Sequence, residues 1–122
     1  MSHKFEIAKT KDGGFMVRFS YNSEIMVWSE TYTAKASAQN CIESLKKNAP
    51  EAAIVDLTKD GSGSGYRFEI VAASNGEPFV RFVASNGETM VRSETYSSRA
   101  GAQNCIESVR TNGPAAPVVD AT

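Results

Sequence analysis

The chain has 122 residues, 41% hydrophobic and 22% charged, with 13 Lys and Arg against 14 Asp and Glu for a net charge of -1. No apolar run approaches the ~20 residues needed to cross a bilayer, and scattered, nearly balanced charge gives duplex nucleic acid little to adhere to, because such binding neutralises several phosphates. A chain of this length fits one domain that buries roughly two thirds of its unfolded surface.

The N-terminal Met1-Ser2-His3-Lys4 lacks the apolar stretch and small-residue cleavage site of a secretory signal, so the expected compartment is the cytoplasm. His3 is the single histidine and falls in what reads as a frayed end, which leaves no parts for a His-dependent triad or a multi-His metal centre. Phe5 and Ile7 then alternate with Lys4, Glu6 and Ala8, the period-2 pattern of a half-buried strand. Asp12-Gly13-Gly14 reads as a hairpin turn, and Phe15, Val17, Phe19 and Tyr21 supply the apolar face of a second strand. After a turn at Asn22-Ser23, a third strand over about Ile25 to Glu30 puts Ile25, Val27 and Ser29 on one face and Met26, Trp28 and Glu30 on the other.

Beyond Tyr32 the period changes. Ala38, Cys41, Ile42 and Leu45 recur at i, i+3, i+4 and i+7, an amphipathic helix with Thr33 as the expected N-cap, Lys46 and Lys47 complementing the dipole in the last turn, and Asn48 and Pro50 as the stop. Ile54-Val55-Asp56 reads as one more strand. Asp60-Gly61-Ser62-Gly63-Ser64-Gly65 is a flexible linker by composition.

The order then starts again. Phe5-Glu6-Ile7 returns as Phe68-Glu69-Ile70, Ser29-Glu30-Thr31-Tyr32 as Ser93-Glu94-Thr95-Tyr96, and the seven residues Ala38 to Ser44 recur unchanged as Ala102 to Ser108. The offset is 63 residues up to Phe19/Phe82 and 64 from Ser29/Ser93, so the second copy gains one residue. That residue belongs to the turn Ser85-Asn86-Gly87, where Gly87 suits the left-handed position of a three-residue hairpin loop. The second copy continues through Asn75-Gly76, a strand from Thr89 to Glu94, Ser97 as helix cap, the stripe Ala102, Cys105, Ile106 and Val109, the stop Asn112-Gly113-Pro114, and the strand Val118-Val119-Asp120.

Two β-β-β-α-β repeats follow: repeat 1 at about 4–58, a linker at 59–65 and repeat 2 at about 66–122. Each is near the size at which a lone core is marginal, so a single pseudo-twofold α+β domain over 1–122 is expected, with a mainly antiparallel sheet and two helices on one face. The tandem supplies an internal pseudo-dimer, which predicts a monomer.

Phe-Glu-Ile, a hairpin, Arg-Phe, a turn ending in Glu, Ser-Glu-x-Tyr and an Ala/Gln/Asn helix carrying Ile-Glu-Ser occur in both copies over nearly their full length. This pattern resembles the YegP-like family, small bacterial proteins of uncharacterised function; the first copy departs from it in having Asn22-Ser23-Glu24 without the glycine of Asn86-Gly87-Glu88. The resemblance implies one continuous sheet in which the repeats exchange their last strands, and it implies no activity.

Four groups of residues can carry either chemistry or structure. Cys41 and Cys105 lie in the apolar helical stripes, where cysteine usually acts as a small hydrophobe; free thiols are expected, with no disulfide, although pseudo-symmetry could bring the two together under oxidation. Glu30/Tyr32 and Glu94/Tyr96 read as repeated joints, with the tyrosine wedging the strand-helix corner, in preference to acid-base pairs. Gln39-Asn40 and Gln103-Asn104 read as solvated helix surface. The face opposite the helices should carry Glu6, Met16, Arg18, Met26, Trp28 and Glu30, and then Glu69, Phe79, Arg81, Met90, Arg92 and Glu94. Such a face is either a solvated surface held by cross-strand pairs, with Arg18 over Trp28 and Glu6 and Glu69 beside Arg18 and Arg81, or an interaction surface.

No P-loop, dinucleotide fingerprint or Gly-x-Ser-x-Gly occurs, and no cofactor or metal is expected. The favoured reading is a non-catalytic cytoplasmic interaction module, with Arg18, Trp28, Glu30, Phe79, Arg81, Arg92 and Glu94 as candidate binding residues, a protein partner favoured, nucleic acid disfavoured and no membrane. The alternative is a small-ligand or single-stranded nucleic-acid binder that uses the aromatics and arginines as a stacking platform, against which Glu6, Glu30, Glu69 and Glu94 stand.

Overall fold

The computed structural model describes residues 3–59 and 63–122, so the middle of the expected linker, 60–62, lies outside the described residues. Strands β1 (His3–Lys9), β2 (Phe15–Tyr21) and β3 (Glu24–Trp28) lead into helix α1 (Lys35–Asn48), a 3₁₀ turn at Ala49–Glu51 and strand β4 (Ala53–Asp56). The second copy gives β5 (Arg67–Ala72), β6 (Pro78–Val83), β7 (Thr89–Thr95), α2 (Arg99–Asn112) and β8 (Val118–Asp120). All eight strands form one sheet in the order β4-β5-β6-β7-β3-β2-β1-β8, the α+β arrangement expected.

The last strands are exchanged. β4, from the first copy, pairs in parallel with β5 from Ala53↔Arg67 to Asp56↔Ile70, and β8 pairs in parallel with β1 from Phe5↔Val118 to Ile7↔Asp120. Helix α1 carries the chain from β3 at the centre of the sheet to β4 at one edge, and α2 carries it from β7 to β8 at the other edge, so each last strand ends beside the first strand of the other copy. The arrangement is latched symmetrically: Lys35, first residue of α1, meets Asp120 of β8 at 2.6 Å, and Arg99, first residue of α2, meets Asp56 of β4 at 3.0 Å.

The strand alternation predicted from sequence places the core on the helix side. Phe5, Ile7, Val17, Phe19 and Val27 and their counterparts Phe68, Ile70, Val80, Phe82 and Val91 pack with Ala38, Cys41, Ile42 and Leu45 of α1 and Ala102, Cys105, Ile106 and Val109 of α2 in one cluster. The ring centroids of Phe5 and Phe19 are 4.8 Å apart and those of Phe68 and Phe82 4.9 Å, tilted pairs that repeat across the pseudo-twofold axis.

Several local expectations are corrected. Both caps shift by one residue: Ala34, not Thr33, precedes α1 and gives no side-chain bond, and Ser98, not Ser97, caps α2 by accepting from the Gly101 amide at 3.2 Å. His3 is no frayed end; it belongs to β1, its ring lies 4.4 Å from that of Tyr21, its Nε2 is 3.0 Å from Ser108 Oγ, and burial lowers its pKa. The third strand is out of the expected phase at its start. Phe19 pairs with Val27 but Ser20 with Ile25, which leaves Met26 as the extra residue of a bulge, and in the second copy Phe82 pairs with Val91 but Val83 with Thr89, which leaves Met90. Met26 and Met90 therefore pack against the helix-side core instead of lying on the open face, whereas Ile25, expected inside, is 39% exposed.

Candidate functional site

The pairing registers align six open-face residues across six adjacent strands. Glu6 faces Arg18, Arg18 faces Trp28, Trp28 faces Arg92, Arg92 faces Arg81 and Arg81 faces Glu69. Trp28 and Arg92 are equivalent positions of the two copies and also form the single pair between β3 and β7, so the pseudo-twofold axis passes between them. The row reads Glu-Arg-Trp on one side of that axis and Glu-Arg-Arg on the other.

The charges in the row are largely answered within it. Arg18 reaches Glu6 at 3.5 Å, as expected. Glu69 is buried and receives Arg81 Nε at 2.6 Å and Arg67 Nε at 2.8 Å; burial alone would raise its pKa, but these two guanidinium groups hold it below the ordinary carboxylate value. Arg67 is a partner that the sequence did not suggest, since its counterpart is Lys4. The cation over Trp28 is Arg92 at 5.8 Å, not the expected Arg18, and the same guanidinium lies only 4.4 Å from the centroid of Phe79. Two arginines side by side, Arg81 and Arg92, are thus separated in their partners: one is neutralised by carboxylate and the other stacks on aromatic rings.

Behind the row, the serines of the repeated Ser-Glu-x-Tyr segment hold a second irregularity. The hydroxyl of Ser29 accepts from the Val17 amide at 2.8 Å and donates to the Glu30 carbonyl at 2.7 Å; Ser93 accepts from Val80 at 2.9 Å and donates to Glu94 at 2.8 Å. A buried side chain here stands in for the ladder bond that an extra residue would interrupt. Glu30 and Glu94 are left exposed beside the axis, and Tyr32 and Tyr96 pack at the core's edge, with burial first among the causes that push both phenols well up. These tyrosines occupy the strand-helix corners, as the sequence suggested.

A groove of about 470 Å³ opens on the first-copy half of this face, lined by Met16, Arg18, Ser23, Glu24, Ile25, Trp28 and Glu94. A smaller cavity of about 190 Å³ lies along the β3-β7 seam between Trp28, Ser29 and Glu30 on one side and Thr89 to Arg92 on the other. All seven candidate residues therefore lie around the axis: Arg18, Trp28, Arg81 and Arg92 in the row, Phe79 under Arg92, and Glu30 and Glu94 at the seam. Sequence reasoning missed Glu24 and Ile25. Ile25 was assigned to the core by strict alternation, and only the unmarked bulge at Met26 turns it outward.

Groups on the helix side are poised against ionisation. Burial pushes the Cys41 thiol up to about 11 and raises that of Cys105; each thiol points at the bulge carbonyl of the other copy, Met90 and Met26 respectively, at 3.9 Å. Both cysteines are free and buried. Among the described residues no group of three or more His, Cys, Asp or Glu is placed to hold a metal ion, and no helix is long and apolar enough to cross a membrane.

Two copies of one supersecondary unit, sharing a sheet by strand exchange and presenting an Arg-Trp row on its open side, define a tandem-repeat α+β protein. The chain belongs to the family described as "Domain of unknown function (DUF1508)", whose pattern matches it twice, at residues 11–56 and 73–120. The YegP-like resemblance read from the repeats is the same relationship. It is 37% identical over 123 aligned positions to the UPF0339 protein ACIAD0721 of Acinetobacter baylyi, covering 100% of this chain and 99% of that one. A UPF0339 protein of Caulobacter vibrioides is 59% identical over 58 residues, which is 48% of this chain but 98% of that relative, so the relative is one repeat long. Among solved structures, the solution NMR structure of yegP from E. coli, a protein of unknown function, matches with a TM-score of 0.80 at 30% identity, covering 100% of this chain and 95% of that one. UPF0339 protein SO3888 from Shewanella oneidensis matches with a TM-score of 0.78 at 30% identity, over 98% of this chain and 92% of its own.

Proposed function

We propose that the protein is a non-catalytic interaction module of the cytoplasm, monomeric because its second copy takes the place of a second subunit, and that it recognises a protein partner through the open sheet face. The observation that carries this reading is the groove beside Trp28: an apolar floor of Met16, Ile25 and Trp28 left uncovered on a face otherwise held by paired charges. Apolar and aromatic side chains near arginine are the composition of interaction sites. Catalysis is disfavoured because the groups shifted furthest give no acid or base poised near neutral pH: Tyr32, Tyr96 and Cys41 are pushed up on the helix side, and Asp120 is pushed down in an ion pair at the sheet edge. A base-stacking role is disfavoured because Arg92 already covers Phe79 and because Glu6, Glu69 and Glu94 share the face.

The test is capture from a bacterial lysate by the intact chain and by Trp28→Ala, Arg81→Ala and Gln39→Ala variants of unchanged circular dichroism. Partners should be lost with Trp28→Ala, weakened with Arg81→Ala and retained with Gln39→Ala on α1. Retention by Trp28→Ala contradicts the reading. Tight, salt-sensitive binding of a labelled single-stranded oligonucleotide replaces it with the stacking platform.

A further inference from the structure

We infer that the groove beside Trp28 accepts a cationic side chain, arginine or lysine, presented by a basic segment of a protein partner. This rests on the open-face reading above and specifies the chemistry of what is recognised. The first support is charge. Of the groove's ionisable groups, Arg18 is answered by Glu6 at 3.5 Å, whereas Glu24 and Glu94 are exposed and have no ion pair among the described residues. The groove therefore presents two uncompensated carboxylates around an apolar floor, and its electrostatic complement is a positive group with an aliphatic stem.

The second support comes from the molecule's own asymmetry. In the second copy the chain supplies a guanidinium: Arg92 stacks 4.4 Å from the Phe79 ring. At the equivalent positions of the first copy stand Trp28 and Met16, an aromatic ring and a thioether in place of the arginine and phenylalanine, and the space there is open. One half of the face is filled by Arg92 stacked on Phe79; in the other half Arg18, the one cation lining the groove, is held by Glu6, and Arg92 reaches the Trp28 ring only at 5.8 Å, which leaves Met16, Ile25 and Trp28 beside Glu24 and Glu94 around open space. An anionic ligand is not favoured, because Arg18 is engaged by Glu6 and Arg92 by two rings.

The chain has one tryptophan, so the indole Nε1-H resonance and the fluorescence of Trp28 report on this groove directly. Titration at low salt with the end-blocked pentapeptide Gly-Arg-Gly-Arg-Gly should give a saturable shift of both signals, and the matched Gly-Glu-Gly-Glu-Gly none. Glu24→Gln combined with Glu94→Gln should weaken the basic peptide about tenfold, a loss suited to two exposed charge pairs. Glu43→Gln combined with Glu107→Gln, which changes net charge equally but on the helices, should leave affinity unchanged. No saturable response to the basic peptide, or equal weakening by the two double variants, overturns the inference. If the basic peptide fails but lysate capture still depends on Trp28, only the cation assignment falls; if neither depends on Trp28, the open-face reading falls with it.

Discussion

At the turn between β2 and β3 the two copies solve the same problem with different residues. The first copy uses a two-residue connection in which Asn22 and Ser23 adopt φ of 50° and 75°, the left-handed region that such a hairpin turn demands, and serine has no particular tolerance for it. The second copy lengthens the loop by one residue and puts Gly87 at φ 87°. Ser23→Gly should therefore stabilise the protein by about 1 kcal/mol, the penalty for a side chain in this conformation; a chemical denaturation midpoint that fails to rise would show that the turn is not strained. The added residue and its turn were legible because glycine and asparagine mark such positions. The bulges were not, because Met26 and Met90 carry no glycine and simply break the alternation, so Ile25 was read as inside and Met26 as outside. The Ser29 and Ser93 hydroxyl bonds were equally hidden, since a serine in a strand has no signature that separates a solvated hydroxyl from one that replaces a ladder bond.

At the scale of elements, helix faces and strand identities were legible from periodicity, and both helical stripes proved buried. Cap positions were missed by one residue because two small residues, Thr33-Ala34 and Ser97-Ser98, precede each helix and either can stand at its start. The latches between helix starts and exchanged strands were invisible in the sequence, because Lys35 and Asp120 are 85 residues apart and Arg99 and Asp56 no less distant in role. They give the exchange a pH dependence. The hydrogen bond from Lys35, followed by those from Thr122, pulls the Asp120 carboxyl down to about 2; for Asp56 desolvation is the largest single influence and pushes up, but the hydrogen bonds from Thr58 and the charges of Arg99 and Lys59 together hold the carboxyl below its ordinary value. A depressed carboxylate pKa contributes stability above its unfolded value, near 3.8, that disappears as pH falls toward about 2. The denaturation midpoint should accordingly drop between roughly pH 5 and 2. Asp120→Asn should be less stable than the parent at pH 7, with the gap shrinking as pH falls through about 2; a gap undiminished at pH 2 would mean that the latch does not act through its charge.

For the whole molecule, repetition made the architecture readable but not its wiring. The residues alone allow β4 and β8 to return to their own copies, since Ile54-Val55-Asp56 and Val118-Val119-Asp120 are nearly interchangeable and a strand's partner is a non-local choice; only the family resemblance implied exchange. The candidate residues were legible in composition, because Arg18, Trp28, Arg81 and Arg92 all alternate onto the open face, but their alignment into one row through the axis depends on registers that no sequence pattern sets. The copies stand or fall together, because each outer strand is completed by the other copy and both helices share one core. The most direct measurement is to place a specific protease site within residues 60–62, cleave the folded protein and follow size-exclusion elution and thermal unfolding. The two fragments should co-elute at the size of the intact chain and unfold in a single transition. Separate elution of two fragments that each retain the intact chain's melting temperature would contradict the shared, strand-exchanged fold.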